Sequence, residues 1–234
     1  MSEIADSLGL ALQLIAALDA DLLEIVLRSL GVSCAAVLLA SAVALPLGAA
    51  LAVSRFPGYR GVVVMLNALM GLPPVVVGLV VYLLLSRVGP LGDFGLLFTP
   101  TAMVIAQTIL VTPIICAIAR QSVEDLWGEY SEQLRSLGAG RLAIVMTLLW
   151  EGRFSLLTAI LAGFGRAVAE VGAVLIVGGN IAHHTRVMTT TIALETARGD
   201  LQLALALGIV LICVVLAINA GAFMTREYAQ RRGN

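Results

Sequence analysis

The sequence contains no lysine, since all 14 of its basic residues are arginines. A nucleotide-binding P-loop needs a lysine that reaches the phosphates of the nucleotide. The chain is therefore not a conventional P-loop ATPase. If ATP drives its activity, another polypeptide must hydrolyse that ATP.

Charged residues of both signs are also scarce. They make up 12% of the chain, whereas soluble globular domains have about a quarter. Hydrophobic residues account for 60%, and the mean hydropathy is +1.02. A soluble globular domain is thereby excluded. The net charge of −1 also leaves no concentrated basic surface for binding nucleic acid.

Residues that bind metals or act as nucleophiles are few. The three cysteines lie far apart, and no pair has the spacing of a metal or redox site. The only two histidines, His183 and His184, are adjacent, so they do not share a helix face, and no carboxylate is near them in the sequence. We therefore predict no metal site, no cofactor and no catalytic residues.

Long apolar stretches dominate what remains. A membrane-spanning helix needs about 20 consecutive apolar residues. Five stretches qualify: residues 30–53, 62–85, 101–119, 154–177 and 201–223. Residues 8–18 are apolar but too short to cross, and we predict that they form a short interfacial helix. The sequence thus predicts an all-α polytopic membrane protein with about five transmembrane helices.

The arginines orient these spans. They are concentrated in residues 54–61, in residues 120–153 and in the tail after residue 225, whereas the alternate loops hold few. Because loops rich in arginine stay in the cytoplasm, we predict a multi-pass inner-membrane protein with a cytoplasmic C-terminus. Its acidic N-terminus is predicted to lie outside.

A polar segment lies between the third and fourth apolar stretches. Apolar residues recur in it at the spacing of one helix face, namely Tyr130, Leu134 and Leu137. Ser122 with Asp125 predicts the start of a helix, and Gly138 with Gly140 predicts its end. We therefore predict a short amphipathic helix outside the bilayer that presents an apolar ridge to a partner.

Two further features lie inside the apolar stretches. Arg166 and Glu170 are four residues apart, on one face of a continuous helix, and each charge costs ~2.5–3.5 kcal/mol at the bilayer centre. They are predicted either to form a structural ion pair or to line the solute path. The second stretch contains the polar residue Asn67 and is interrupted at Pro73 and Pro74, because proline lacks a backbone N–H donor. This break is either a packing kink or part of the pathway.

The loop after the fourth stretch is predicted to be extracytoplasmic. Its polar residues Asn180, Thr185 and Arg186 are candidates for the border of an anion entrance. The same residue types are also ordinary at the edges of loops.

Several stretches together resemble the permeases of ABC importers for molybdate, sulfate and tungstate. Residues 72–78 (Leu-Pro-Pro-Val-Val-Val-Gly) and 163–173 are similar to intramembrane motifs of this group. Residues 177–181, 185–196, 199–200 and 204–209 resemble the tungstate branch most. Residues 132–138 resemble the family's coupling helix (Glu-Ala-Ala, three residues, Gly), although Gln and Leu stand in place of the two alanines. The resemblance covers roughly residues 25–225.

The resemblance implies a type I ABC importer permease domain at residues 25–225, after an N-terminal segment (1–24) and before a cytoplasmic tail (226–234). It implies three partners: an ATPase subunit in two copies, an extracytoplasmic oxyanion-binding protein and a second permease copy. Residues 130–139 are named the coupling segment below. The resemblance assigns coupling to the ATPase to Tyr130, Glu132, Leu134, Arg135, Ser136, Leu137, Gly138 and Ala139.

The implied function is ATP-driven import of a tetrahedral oxyanion, with tungstate first and molybdate or sulfate as alternatives. The residues themselves leave two rivals. One is an ion-coupled carrier or channel that uses Arg166 and Glu170 as a relay, although such a carrier has no need of a docking helix. The other is a membrane-embedded enzyme, which lacks a catalytic constellation in this sequence.

Overall fold

The computed structural model describes residues 20–233, together with Gly9 and Gln13. Helices account for most of these residues and no strand occurs among them, so the predicted all-α class is confirmed. The predicted interfacial helix at residues 8–18 lies outside the described residues. The helices are α1 (Ala20–Val53), α2 (Tyr59–Leu69), α3 (Pro74–Leu85), α4 (Pro100–Ser136), α5 (Arg141–Glu151), α6 (Arg153–Val168), α7 (Gly172–Gly178), α8 (Met188–Arg198) and α9 (Leu201–Gly233).

Three helices are long and apolar enough to cross a membrane by themselves. They are α1, α4 and the part of α9 at Leu201–Ala222, and they contain three of the five predicted spans. Helix α4 has 37 residues and is therefore about 55 Å long, well beyond the ~30 Å of the hydrocarbon core. Among the described residues, the number of spans rises to five if the bent pairs α2–α3 and α5–α6 each count as one span.

Two of the predicted spans are not continuous helices. The stretch 62–85 consists of α2 and α3, which are separated at residues 70–73. The prolines at 73 and 74 cannot donate to the helix ladder, so this break was expected. The stretch 154–177 consists of α6 and α7, separated at residues 169–171. No proline stands there, and the prediction of one continuous helix was wrong.

Helix α5 was missed by the sequence analysis, which assigned residues 141–151 to a connecting segment. It is bent by 76° from α6, with Gly152 between them. Its residues Ile144 and Leu148 are buried. Their spacing of four residues is typical of a helix face that packs on a core.

The chain divides into two compact units. One comprises the residues up to Ser33, Pro74–Ala106 and the residues from Val168 onwards. Within it, α3 packs on α7 and α8 packs on α9. A Cβ atom at Gly78 on α3 would lie 2.7 Å from the Cα atom of Ala173 on α7, so these two backbones touch only because position 78 has no side chain.

The other unit comprises Cys34–Pro73 and Gln107–Ala167. Its core joins α1, α4, α5 and α6 through Ala49, Ala52, Ala119, Val123, Ile144, Leu148 and Leu156. All five long apolar stretches thus contribute small or branched residues to the two interiors, while many of their large apolar side chains are exposed. Such an exterior fits lipid rather than water. The predicted domain limits at residues 25 and 225 stay a prediction.

Candidate coupling and transport residues

The coupling segment is the end of a long helix rather than a separate short one. Helix α4 runs without interruption from Pro100 to Ser136. The helix start predicted at Ser122 and Asp125 is therefore wrong, because the apolar third stretch and the polar segment share one continuous ladder. The coupling segment and the apolar third stretch thus belong to the same helix.

The end of α4 is a C-terminal cap of the Schellman type. Gly138 has a φ of +67°, as expected for a helix that was predicted to stop there. Its N–H donates to the carbonyl of Arg135 at 3.0 Å, and the N–H of Ala139 donates to the carbonyl of Leu134 at 3.1 Å. This pattern satisfies carbonyls that would otherwise be left open at the helix end.

The predicted apolar ridge is divided between the interior and the surface. Tyr130, Leu134 and Ala139 are partly buried and pack against the core that joins α1, α4, α5 and α6. Leu137 is 80% exposed. The prediction that all three ridge residues are presented to a partner is therefore wrong for Tyr130 and Leu134, because the unit's own core takes up their apolar surface.

The polar members of the coupling segment lie on its surface. Glu132 is exposed, and so is Arg135, whose guanidinium lies 5.3 Å from the centroid of the Trp127 ring. The Ser136 hydroxyl donates to the carbonyl of Gln133 at 2.8 Å. Together with Leu137 they form the surface that a docking partner can reach.

Helix α5 extends this surface with an apolar face. Leu142, Met146 and Trp150 are 76%, 60% and 68% exposed. They were not among the predicted site residues, although their spacing at i, i+4 and i+8 is a helix-face signal. Arg153, the first residue of α6, makes a cation–π contact with Trp150, and its guanidinium carbon lies 4.9 Å from the centroid of the indole ring.

The break before Pro73 and Pro74 exposes irregular backbone. Residues 70, 71 and 72 donate to the carbonyls three residues earlier, at 3.1–3.2 Å, so α2 tightens into 3-10 turns before it stops. None of the residues of α2 is buried, and the side chain of Asn67 is exposed. Pro74 is the first residue of α3, where the missing donor costs nothing.

Arg166 and Glu170 do not share a helix face, which corrects the sequence-based prediction. Arg166 is half-buried in the last turn of α6, which ends at Val168, and Glu170 lies in the interruption that follows. Glu170 is buried, and its Oε1 accepts the backbone N–H of Ala173 at 3.0 Å. Its carboxylate therefore caps α7.

Other side chains satisfy the backbone at this second interruption. The amide of Gln107, buried on α4, donates to the carbonyl of Ala167 at 3.0 Å. The hydroxyl of Thr189 donates to the carbonyl of Glu170 at 2.9 Å. Carbonyls that a continuous helix would have paired are thus bonded by side chains. Gln107, an amide within an apolar run, was a visible signal that the sequence analysis did not use.

The three predicted entrance residues serve different purposes. Thr185 is buried, and its hydroxyl donates to the carbonyl of Gly178 and accepts the N–H of Ile181 at 2.9 Å. Asn180 accepts the hydroxyl of Thr190 at 2.9 Å. Both therefore shape the loop between α7 and α8. Arg186 is half-buried and lines a small cavity of about 80 Å³ with Arg28 and His183.

His183 has a carboxylate neighbour that the sequence did not reveal. Its Nδ1 lies 2.9 Å from Oε2 of Glu24 on α1, and Asp21 completes a group of possible ligand atoms. The argument that no carboxylate is near His183 was therefore wrong, because α1 is distant in sequence. Glu24 also pairs with the guanidinium of Arg28, a cation that disfavours a metal ion at the same carboxylate.

The family is shown by comparison with known proteins. Residues 44–232 match the model of the binding-protein-dependent transport system inner membrane component. The tungstate uptake system permease protein TupB of Peptoclostridium acidaminophilum is 41% identical over 227 residues, 97% of this chain and 100% of that one. A probable anion ABC transporter permease protein of Haloferax volcanii is 42% identical over 204 residues, 85% of this chain and 88% of its own length.

A solved structure shows the same fold. A chain of the MetNI methionine ABC transporter in an inward-facing conformation has a TM-score of 0.73 and 19% identity, covering 91% of this chain and 97% of that one. At this identity the likeness concerns the fold alone, and it confirms the predicted permease architecture. With a family model that matches most of its length, the chain belongs to the inner membrane components of binding-protein-dependent transport systems, the permease subunits of ABC transporters.

Proposed function

We propose that this permease carries tungstate inward as part of an ATP-driven importer. The observation that carries the proposal is the match, over 97% of this chain, to a permease named for tungstate uptake. Permeases named for sulfate share less identity with it. Molybdate stays the nearest alternative cargo, because molybdate and tungstate are tetrahedral dianions of nearly equal radius.

A separate ATPase subunit supplies the energy in this proposal. The chain has no lysine for a P-loop, and α4 ends in a capped, exposed coupling segment on which a soluble subunit can dock. The arginine-rich segments support a cytoplasmic location of this end and of the C-terminus in the proposal. An oxyanion-binding protein delivers the cargo on the opposite side, where the N-terminus lies.

A second copy of the permease completes the pathway. The backbone at residues 70–73 is irregular, and irregular backbone at membrane depth is tolerated only against protein or a water-filled cavity. Helix α2, which leads to this break, has no buried residue within one copy. A homodimer with the pathway between its two copies covers this backbone, which lipid alone cannot do.

Transport by the reconstituted system tests the proposal. The permease, its ATPase and its binding protein are placed in liposomes, and uptake of tungstate, molybdate and sulfate is measured with and without ATP. We expect ATP-dependent accumulation of tungstate, with competition by molybdate stronger than by sulfate. Uptake without the ATPase subunit would instead support the ion-coupled carrier, and a preference for sulfate would overturn the assigned cargo.

A further inference from the structure

A cluster of four side chains joins the loop before α2 to helix α4. It consists of Arg55, Tyr59, Arg120 and Glu124, and is named the Arg55 cluster below. Nη2 of Arg55 donates to Oε1 of Glu124 at 3.1 Å. Nη1 of Arg120 donates to Oε2 of the same carboxylate and to the Tyr59 hydroxyl, the latter at 3.4 Å. Both oxygens of Glu124 are thus engaged by arginines from two segments.

Stacking reinforces these hydrogen bonds. The guanidinium carbon of Arg55 lies 4.7 Å from the centroid of the Tyr59 ring, a cation–π arrangement. The hydrogen bond with Glu124 raises the pKa of Arg55 above its ordinary value. The Arg120 side chain is only 15% exposed, and solvent therefore screens its pairing with Glu124 less than that of a surface pair.

The two segments that the cluster joins continue to different candidate functional regions. Arg120 and Glu124 lie on α4, which continues to the coupling segment. Tyr59 is the first residue of α2, which ends at the break before Pro73 and Pro74. Because α2 has no buried residue within one copy, polar contacts at its start are the connection to α4 that a single copy provides.

We propose that the Arg55 cluster transmits movement of the coupling segment to α2 and to the break that follows it. Glu124 is the positioning residue, since it bonds to Arg120 within α4 and to Arg55 across to the loop. A shift of the rigid α4 then pulls on Arg55 and Tyr59, and so on the start of α2. This inference rests on the proposed function, in which the ATPase acts on the coupling segment.

The test is a comparison of Glu124→Gln with Glu129→Gln in the complete reconstituted importer. Glu129 is an exposed glutamate on the same helix outside the cluster, so its substitution is the matched control. The readout is tungstate transported per ATP hydrolysed, together with co-purification of the ATPase. We expect Glu124→Gln to lower this ratio by about fivefold or more, the lower end of typical coupling between two sites. Assembly is expected to persist, and Glu129→Gln to match the wild type.

Two milder variants keep the test decisive if Glu124→Gln does not fold. Arg55→Gln removes the bond between the loop and Glu124 and the stacking on Tyr59, from a side chain that is 63% exposed, and leaves the Arg120–Glu124 pair within α4 in place. Tyr59→Phe removes the hydroxyl and keeps the ring. Both are expected to lower the ratio in the same direction. Unchanged ratios in all folded cluster variants would overturn this inference, whereas a wild-type importer without ATP-dependent tungstate uptake would overturn the proposed function.

Discussion

Gly138 is the residue of the coupling segment with the clearest backbone requirement. Its φ of +67° lies in the left-handed region, which costs residues with a side chain roughly 1–2 kcal/mol. A Cβ atom there would meet no other atom within 4 Å. The constraint is therefore conformational rather than steric, and it fixes where Leu137 and Ala139 lie after the helix ends.

Substitution of Gly138 separates these two kinds of constraint. We expect Gly138→Val to displace the end of α4 and to reduce co-purification of the ATPase subunit, because a β-branched residue strongly disfavours positive φ. Membrane insertion is expected to be normal. Gly138→Asn is the matched control, since asparagine tolerates this conformation. Equal losses in both variants would show that side-chain bulk, and not backbone conformation, matters at this position.

At the scale of elements, the interruption between α6 and α7 is stabilised by side chains from three places. Glu170 caps α7, Thr189 bonds to the carbonyl of Glu170, and Gln107 bonds to the carbonyl of Ala167. A buried backbone group without a partner costs about 1–3 kcal/mol. These bonds allow a span to stop and restart among apolar neighbours.

Two substitutions at Glu170 distinguish capping from charge. Glutamine keeps an oxygen that accepts the N–H of Ala173, whereas leucine removes it. We expect Glu170→Leu to lower the thermal unfolding temperature of the detergent-solubilised permease markedly, and Glu170→Gln to lower it less. If Glu170→Gln is as damaging, and Arg166→Gln in the same chain restores stability, the charge pair dominates and the capping role is refuted.

At the scale of the whole molecule, we predict that the two termini lie on opposite sides of the membrane, because five crossings result if the three long helices of the described chain and the bent pairs α2–α3 and α5–α6 each cross once. The bias of arginines toward alternate loops gives the direction. We therefore expect the coupling segment at the end of α4 to lie in the cytoplasm, where ATP is available.

Reporter fusions test this orientation. A reporter fused after Asn234 is expected to be active only if the reporter works in the cytoplasm, and one inserted beside His184 only if it works outside. A fusion within residues 54–58 serves as the internal control and is expected to match the C-terminal one. The inverse pattern would place the coupling segment outside and would remove the basis for ATPase docking.

The sequence by itself determined the helical class, the break in the second apolar stretch and the end of helix α4 at Gly138. The length of an apolar stretch is a property of consecutive residues. The prolines at 73 and 74 and the glycine at 138 act on the backbone at their own positions. None of these effects depends on residues far along the chain. The family resemblance, carried by motifs along residues 72–78 and 163–196, was likewise present in the sequence.

Only the tertiary structure decided the features that depend on partners far along the chain. It showed that Glu170 lies outside a helix, at an interruption that contains no proline. The side chains of Gln107 and Thr189 donate hydrogen bonds to backbone carbonyls at this interruption. It also showed that Tyr130 and Leu134 pack against the core, whereas Leu137 is exposed. It also placed Glu24 beside His183, and Arg55 beside Glu124. Such pairings depend on how helices pack, because helical periodicity defines a face without defining what that face meets.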